Sequence, residues 1–129
     1  MQRAVLAYCR NADLDAHVAQ LRITYRQRRD AMLAALQEHF PAGTTWTTPQ
    51  GGIFIWLTLP VGADATTLLA AALHQGVAFV PGAAFFPPSL AAPASRALRL
   101  NFSNAAPQRI NEGIERLAHA LRLHLERAA

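Results

Sequence analysis

The chain has 129 residues, 52% of them hydrophobic, and a formal net charge of +4 at pH 7. This length supports one domain with a hydrophobic core, over residues 1–129, and is too short for two ordinary domains. No apolar stretch approaches the roughly 20 residues of a membrane-spanning helix, and no secretory signal is recognisable, so a cytoplasmic protein without a membrane partner is expected. The single cysteine, Cys9, excludes an internal disulfide and is expected to act as a small apolar residue.

All 12 basic residues are arginine, and the chain contains no lysine. Positive charge would suit nucleic-acid binding, but no helix-turn-helix, zinc-ligand or aromatic RNA-binding pattern accompanies it. The cluster from Arg22 to Arg29 is typical of a solvated helix face. We therefore expect no nucleic-acid partner for this domain. The missing lysine excludes any chemistry that needs a lysine amine from this chain.

Helical spacing predicts two helices at the N-terminus. A short one covers Gln2 to Arg10 and ends in the turn Asn11-Ala12-Asp13. Asp13 then caps a long helix that reaches Phe40 and ends at Pro41. Arginines at positions 28 and 29 interrupt the apolar stripe of the long helix, so its two halves are expected to meet different surroundings.

A β-hairpin follows this helix. Thr44 to Thr48 and Ile53 to Leu59 are rich in β-branched and aromatic residues and flank the turn Pro49-Gln50-Gly51-Gly52. Asp64 is then the predicted N-cap of a helix that stops at Gly76. Further on, Val77 to Val80 is predicted to be a short buried strand.

The rest of the chain alternates loop, strand and helix. Pro81-Gly82 leads into an apolar loop from Ala83 to Ser95, which is followed by a further strand that contains Arg99. Pro107 suits the first turn of a last helix, whose capping residue is either Asn104 or Ala106. This order predicts an α+β fold in which helices cover a small antiparallel or mixed sheet.

Arg99 lies in the apolar run Ala97-Leu98-Arg99-Leu100-Asn101-Phe102-Ser103. A guanidinium inside such a strand suits a bound anion, because the Arg fork matches a carboxylate with two charge-assisted hydrogen bonds. Alternation along the strand also permits a solvated outer face. Residue pattern alone leaves both interpretations open.

Four ordered motifs resemble the C-terminal small domain of class I/II aminotransferases, which are fold type I pyridoxal-phosphate enzymes. They are Tyr25-Arg26-Gln27-Arg28-Arg29-Asp30, Gly51-Gly52-Ile53-Phe54-Ile55-Trp56-Leu57, Gly76-Val77-Ala78-Phe79-Val80-Pro81-Gly82 with Phe85, and Leu98-Arg99-Leu100-Asn101-Phe102-Ser103. The resemblance is to the branch of 2-aminoadipate-type enzymes and of aminotransferase-like transcriptional regulators. It covers nearly the whole chain.

The resemblance implies roles for four residues. Arg99 matches the arginine that binds the α-carboxylate of the amino-acid or 2-oxo-acid substrate. Gly51 and Gly52 match glycines near the substrate, although a hairpin turn explains them equally well. Phe85 would line the substrate pocket or simply pack the loop. Arg96 is expected to be solvated, and no catalytic, cofactor-binding or metal-binding residue is predicted.

In the family, a preceding large domain holds pyridoxal phosphate and supplies the lysine that binds it covalently. That domain is absent from these 129 residues, so the isolated chain is expected to bind no cofactor and to be inactive. Its expected partners are the missing large domain and, in a homodimer, a second copy. The alternative is a standalone, non-catalytic binding or interaction module, including a remnant of an aminotransferase-like regulator.

Overall fold

The computed structural model describes residues 2–87, 89, 93–103 and 105–128, with side chains from residue 14 onward except 93 and 128. The prediction for Cys9 lies outside the described side chains. Helix α1 (Gln2–His39) spans 38 residues. Its middle, from Leu14 to Gln20, is exposed, whereas Met32, Ala35 and Leu36 near its C-terminal end are buried. The expected change of surroundings along this helix is therefore present.

The sheet has four strands, β1 (Thr45–Trp46), β2 (Phe54–Thr58), β3 (Val80–Pro81) and β4 (Ala97–Asn101), in the order β1-β2-β4-β3. Every pairing is antiparallel. The last strand in sequence thus lies inside the sheet, between β2 and β3. The predicted hairpin is confirmed, and the predicted α+β class is confirmed with a purely antiparallel sheet.

Helices α2 (Ala65–His74) and α3 (Pro107–Ala128) complete the fold. Asp64 caps α2 as predicted, because its carboxylate accepts hydrogen bonds from the amides of Thr66 and Thr67. One hydrophobic core joins α1, α2 and α3 to the sheet. Its largest fully buried side chains are Phe102, Leu36, Ile55, Leu57, Leu59, Leu68, Leu98, Leu117 and Leu121.

The predicted break at Asn11-Ala12-Asp13 is wrong, because the backbone of α1 is helical throughout. Asp13 lies inside the helix instead of capping it. Asn and Asp cost only about 0.7 kcal/mol each in a helix interior. Neither Pro nor Gly occurs between Gln2 and His39, so nothing in this segment is strong enough to stop the helix.

The predicted strand from Val77 to Val80 is also corrected: β3 begins only at Val80. The end of α2 forms a Schellman motif, in which Val77 N–H donates to the Ala72 carbonyl and Gly76 N–H to the Leu73 carbonyl. Gly76 adopts the positive φ of +78° that this motif requires. Since capping uses the Val77 amide, that residue is unavailable to the sheet.

The region predicted as a loop from Ala83 to Ser95 contains two short 3-10 helices, Gly82–Phe85 and Pro93–Arg96. Helix α3 begins at Pro107 as predicted. Ile110 N–H donates to the Ala106 carbonyl, which places Ala106 at the cap position. The alternative cap, Asn104, lies outside the described residues.

Candidate functional site

Arg99 lies at the centre of β4, opposite Trp56 of β2 and Val80 of β3. Its neighbours Leu98 and Leu100 point into the core and are 0% and 3% exposed. Because successive side chains of a strand point to opposite faces, Arg99 lies on the outer face of the sheet. That face is not simply solvated, since Arg99 is half-buried.

Two aromatic rings flank the Arg99 guanidinium. Its central carbon lies 3.8 Å from the ring centroid of Phe54 and 4.6 Å from that of Phe85. Phe85 in turn contacts Trp56 edge-to-face, with ring centroids 5.2 Å apart. Phe54 and Phe85 hold the guanidinium in place through cation–π contacts and remove part of its water, and Trp56 supports Phe85.

The Arg99 Nε is buried and has no hydrogen-bond partner among the described residues. A buried donor without a partner costs about 1–3 kcal/mol, so the position is unfavourable until an acceptor arrives. No described carboxylate forms an ion pair with Arg99. The arrangement is therefore a guanidinium oriented by aromatic rings and available to an anion.

Phe85 is brought over the sheet by the short 3-10 helix that begins at Gly82. A Cβ at position 82 would lie 2.7 Å from the Ala97 Cβ and 2.9 Å from the Ala97 carbonyl oxygen. Only glycine lets this helix pack so closely on β4. Phe86, the next residue, is 44% exposed, and no ring contact involves it in the described part of the chain.

Two arginines of α1 tie the helix to the segments around the site. Arg28 donates from Nη1 to the Ser103 carbonyl, just after β4, and Arg29 donates from Nη1 to the Pro49 carbonyl at 3.0 Å, just before the glycine turn. Arg29 also pairs with Asp30 at 3.0 Å. Both arginines are half-buried and link α1 to other segments, unlike the solvated helix face predicted for the cluster from Arg22 to Arg29.

The structure brings together two of the four predicted site residues, Arg99 and Phe85. Gly51 and Gly52 lie in the hairpin turn and line a different cleft, beside α1. Gly52 has a positive φ of +79°, which accounts for glycine there, whereas a Cβ at Gly51 would meet no atom within 4 Å. The turn therefore requires only the second glycine.

Sequence reasoning missed Phe54 and Trp56 as neighbours of Arg99. Alternation places both on one face of β2, but which residues of β4 they oppose depends on the strand register. The expectation for Arg96 is corrected: it is half-buried, and its Nε donates to the Leu59 carbonyl at 3.0 Å. Arg96 thus supports the end of β2 and is not free in solvent.

Among the described residues, no group of three or more His, Cys, Asp or Glu side chains could hold a metal ion. His124 instead accepts a hydrogen bond from the Asp64 amide at 3.1 Å. Within the same part of the chain, no helix is long and apolar enough to cross a membrane.

Comparison with known proteins gives this fold and site a family. The sequence model of "Aminotransferase class I and II" matches residues 1–117. The chain is 42% identical over 120 residues to aromatic-amino-acid aminotransferase 1 of Thermococcus litoralis. The aligned region covers 93% of this chain and 28% of that protein. It is 39% identical over 103 residues to the 2-aminoadipate transaminase of Thermus thermophilus, covering 80% of the chain and 25% of that enzyme.

Solved structures agree. The multiple substrate aminotransferase of Thermococcus profundus superposes with a TM-score of 0.82 at 41% identity, covering 93% of this chain and 29% of that one. The chain belongs to the class I and II aminotransferase family, as the four motifs indicated. It spans about a quarter of the length of the relatives it matches.

Proposed function

We propose that this chain is the small domain of a pyridoxal-phosphate-dependent aminotransferase, and that Arg99 binds the α-carboxylate of the amino-acid or 2-oxo-acid substrate. This proposal rests on the surroundings of the Arg99 guanidinium. The guanidinium lies 3.8 Å from the Phe54 ring centroid, with a buried Nε that has no partner among the described residues. The family match supports the reaction type.

The chemistry of Arg99 is binding and orientation. Two parallel N–H groups of a guanidinium donate to the two oxygens of a carboxylate and fix its plane. Phe54 and Phe85 restrict the rotation of the guanidinium, so less conformational entropy is lost when the carboxylate binds. A substrate held by its carboxylate has its α-carbon at a defined position, which is what a proton transfer there requires.

The residues of this chain do not fit the cofactor. Pyridoxal phosphate supplies the electron sink of transamination and is held covalently by a lysine amine, and the 129 residues contain no lysine. The large domain that we propose as partner would supply that amine and the phosphate site. We therefore expect the isolated chain to show no transaminase turnover above that of free pyridoxal phosphate.

A chimera tests the role of Arg99. The chain replaces the corresponding C-terminal part of the Thermococcus litoralis enzyme, to which it is 42% identical. We expect the chimera to transaminate, and Arg99→Leu to lower its kcat/KM about 100-fold, the loss of a charge-assisted bidentate contact. Arg127→Leu removes an exposed guanidinium of α3 that does not line the cavity beside Arg99, and is the matched control. Equal activity of the Arg99→Leu chimera and the parent chimera would contradict the proposal.

The exposed surface of α1 distinguishes the proposed small domain from the alternative, a standalone module. Leu14, Val18 and Ile23 of α1 are 56%, 42% and 51% exposed, which favours a covering partner over a domain that functions alone. We expect light scattering to show association that grows with concentration. A monomer at every concentration, together with a stop codon immediately upstream of Met1, would favour the module.

A further inference from the structure

A cleft of about 500 Å³ lies between α1 and the hairpin turn. Arg22, Arg26 and Arg29 line one side, and their spacing of four and three residues places them on one face of the helix. The turn from Pro49 to Gly52 lines the other side. Tyr25 and the buried Phe102 add aromatic surface.

The positive charge of this cleft is not balanced. Arg22 and Arg26 take part in no ion pair or side-chain hydrogen bond among the described residues, and Asp30 pairs only with Arg29. Like charges four residues apart on a helix repel by a few tenths of a kcal/mol. An anion between the two guanidiniums would relieve that repulsion.

On the side opposite the arginines, the cleft is lined by the backbone of the hairpin turn, with open space beside it. A Cβ at Gly51 would have no atom within 4 Å, and its φ is not positive, so neither crowding nor backbone geometry explains glycine at this position. A ligand that approaches the peptide groups of the turn would explain it, because glycine permits the closest approach of another molecule to the backbone.

We propose that this cleft is a binding site for a small organic or inorganic dianion, separate from the Arg99 site. Its anionic groups, carboxylate or phosphate, bind Arg22 and Arg26, while Arg29 stays fixed by Asp30 and the Pro49 carbonyl. The half-buried Tyr25 contacts the body of an organic ligand. This inference does not rest on the proposed transamination, since the cleft is formed entirely by this chain.

The test is titration of the 129-residue chain with inorganic phosphate and, separately, with glutarate at constant ionic strength. Arginine Nε–H signals in NMR spectra and isothermal calorimetry report binding. We expect one dianion to bind in this cleft with saturation, reported by shifts of the Arg22 and Arg26 signals, whereas a separate shift of the Arg99 signal would report binding at the Arg99 site. Binding of phosphate alone, of glutarate alone or of both supports the site and identifies the headgroup. Absence of binding by both at about 10 mM overturns it.

Two variants separate a built site from general attraction to a basic protein. Arg26→Gln is expected to weaken binding about tenfold, the loss of one charge-assisted contact. Arg127→Gln removes the same charge from an exposed position of α3, outside the cleft, and should leave binding unchanged. Equal weakening by both variants would mean that net charge alone attracts the anion, and the proposal would be wrong.

A third variant probes the turn. Gly51→Ala adds a methyl group into open space and should leave the unfolding free energy unchanged. If the ligand lies against the turn, the methyl group should still weaken dianion binding several-fold. Undiminished binding by Gly51→Ala would contradict the contact with the turn. Binding of poly-glutamate without either small dianion would identify a protein contact instead and overturn the proposal.

Discussion

Alternate residues of strands β2 and β4 point to opposite faces of the sheet, and the two faces differ in exposure and polarity. On the inner face, Ile55, Leu57 and Leu98 are at most 1% exposed and belong to the hydrophobic core. On the outer face, Arg99 and its aromatic neighbours are half-buried or exposed, and one guanidinium nitrogen has no described partner. The inner face therefore determines stability, while the outer face retains a buried donor that no described residue satisfies.

The largest effect should come from the inner face. Leu98→Ala removes a fully buried core side chain of β4 and should lower the free energy of unfolding by about 3 kcal/mol. Chemical denaturation with urea measures this loss. Leu123→Ala, at a position 38% exposed on α3, is the control and should cost far less. Similar losses for both would refute the assignment of stability to the inner face.

Gly82→Ala tests the contact that carries Phe85 to the outer face. Its Cβ would lie 2.7 Å from the Ala97 Cβ, so the 3-10 helix must shift, at a cost of about 1–3 kcal/mol. Circular dichroism during thermal unfolding records the loss. Gly51→Ala is the matched substitution without crowding. If Gly82→Ala is as stable as Gly51→Ala, close packing at position 82 is not required.

Phe85→Ala should cost about 1 kcal/mol, because it removes an edge-to-face contact with Trp56 and a cation–π contact with Arg99. Phe86→Ala is a close control, since the two side chains are 42% and 44% exposed. In a Trp46→Phe background, the quenching and wavelength of Trp56 fluorescence should change in the first variant only. Equal changes in both variants would show that the described ring contacts do not form in solution.

Arg99→Met should have the smallest effect on stability. The variant loses two cation–π contacts but also a buried donor without a described partner, so the unfolding free energy should change by less than about 1 kcal/mol. Urea denaturation compares it with the parent chain. A loss above about 2 kcal/mol would mean that Arg99 is a structural residue, and the contrast between the two faces would disappear.

Sequence reasoning succeeded where local physics decides. Asp64 before a helix, Pro107 in a first turn and the glycine turn of the hairpin each have a local cause, and each was placed correctly. The break at Asn11-Ala12-Asp13 was wrong because weak local preferences yield to an uninterrupted helix. The prediction that the third strand begins at Val77 was wrong because the cap of α2 uses the Val77 amide.

The site itself could be predicted only in part. The position of Arg99 in an apolar run was visible, and the resemblance supplied its proposed ligand. The rings that hold it come from different elements, and their meeting depends on strand register and on how close Gly82 approaches Ala97. Such long-range geometry has no signature in local spacing.

The strand order β1-β2-β4-β3 has a consequence for synthesis. During translation, β3 has no partner and β2 has only the short β1 until residues 97–101 have left the ribosome. Until then, the edges of β2 and β3 that later pair with β4 stay open, and open edges attract other chains. The strand that closes them carries Arg99, so the nascent domain completes its sheet and positions its proposed carboxylate-binding residue in the same event.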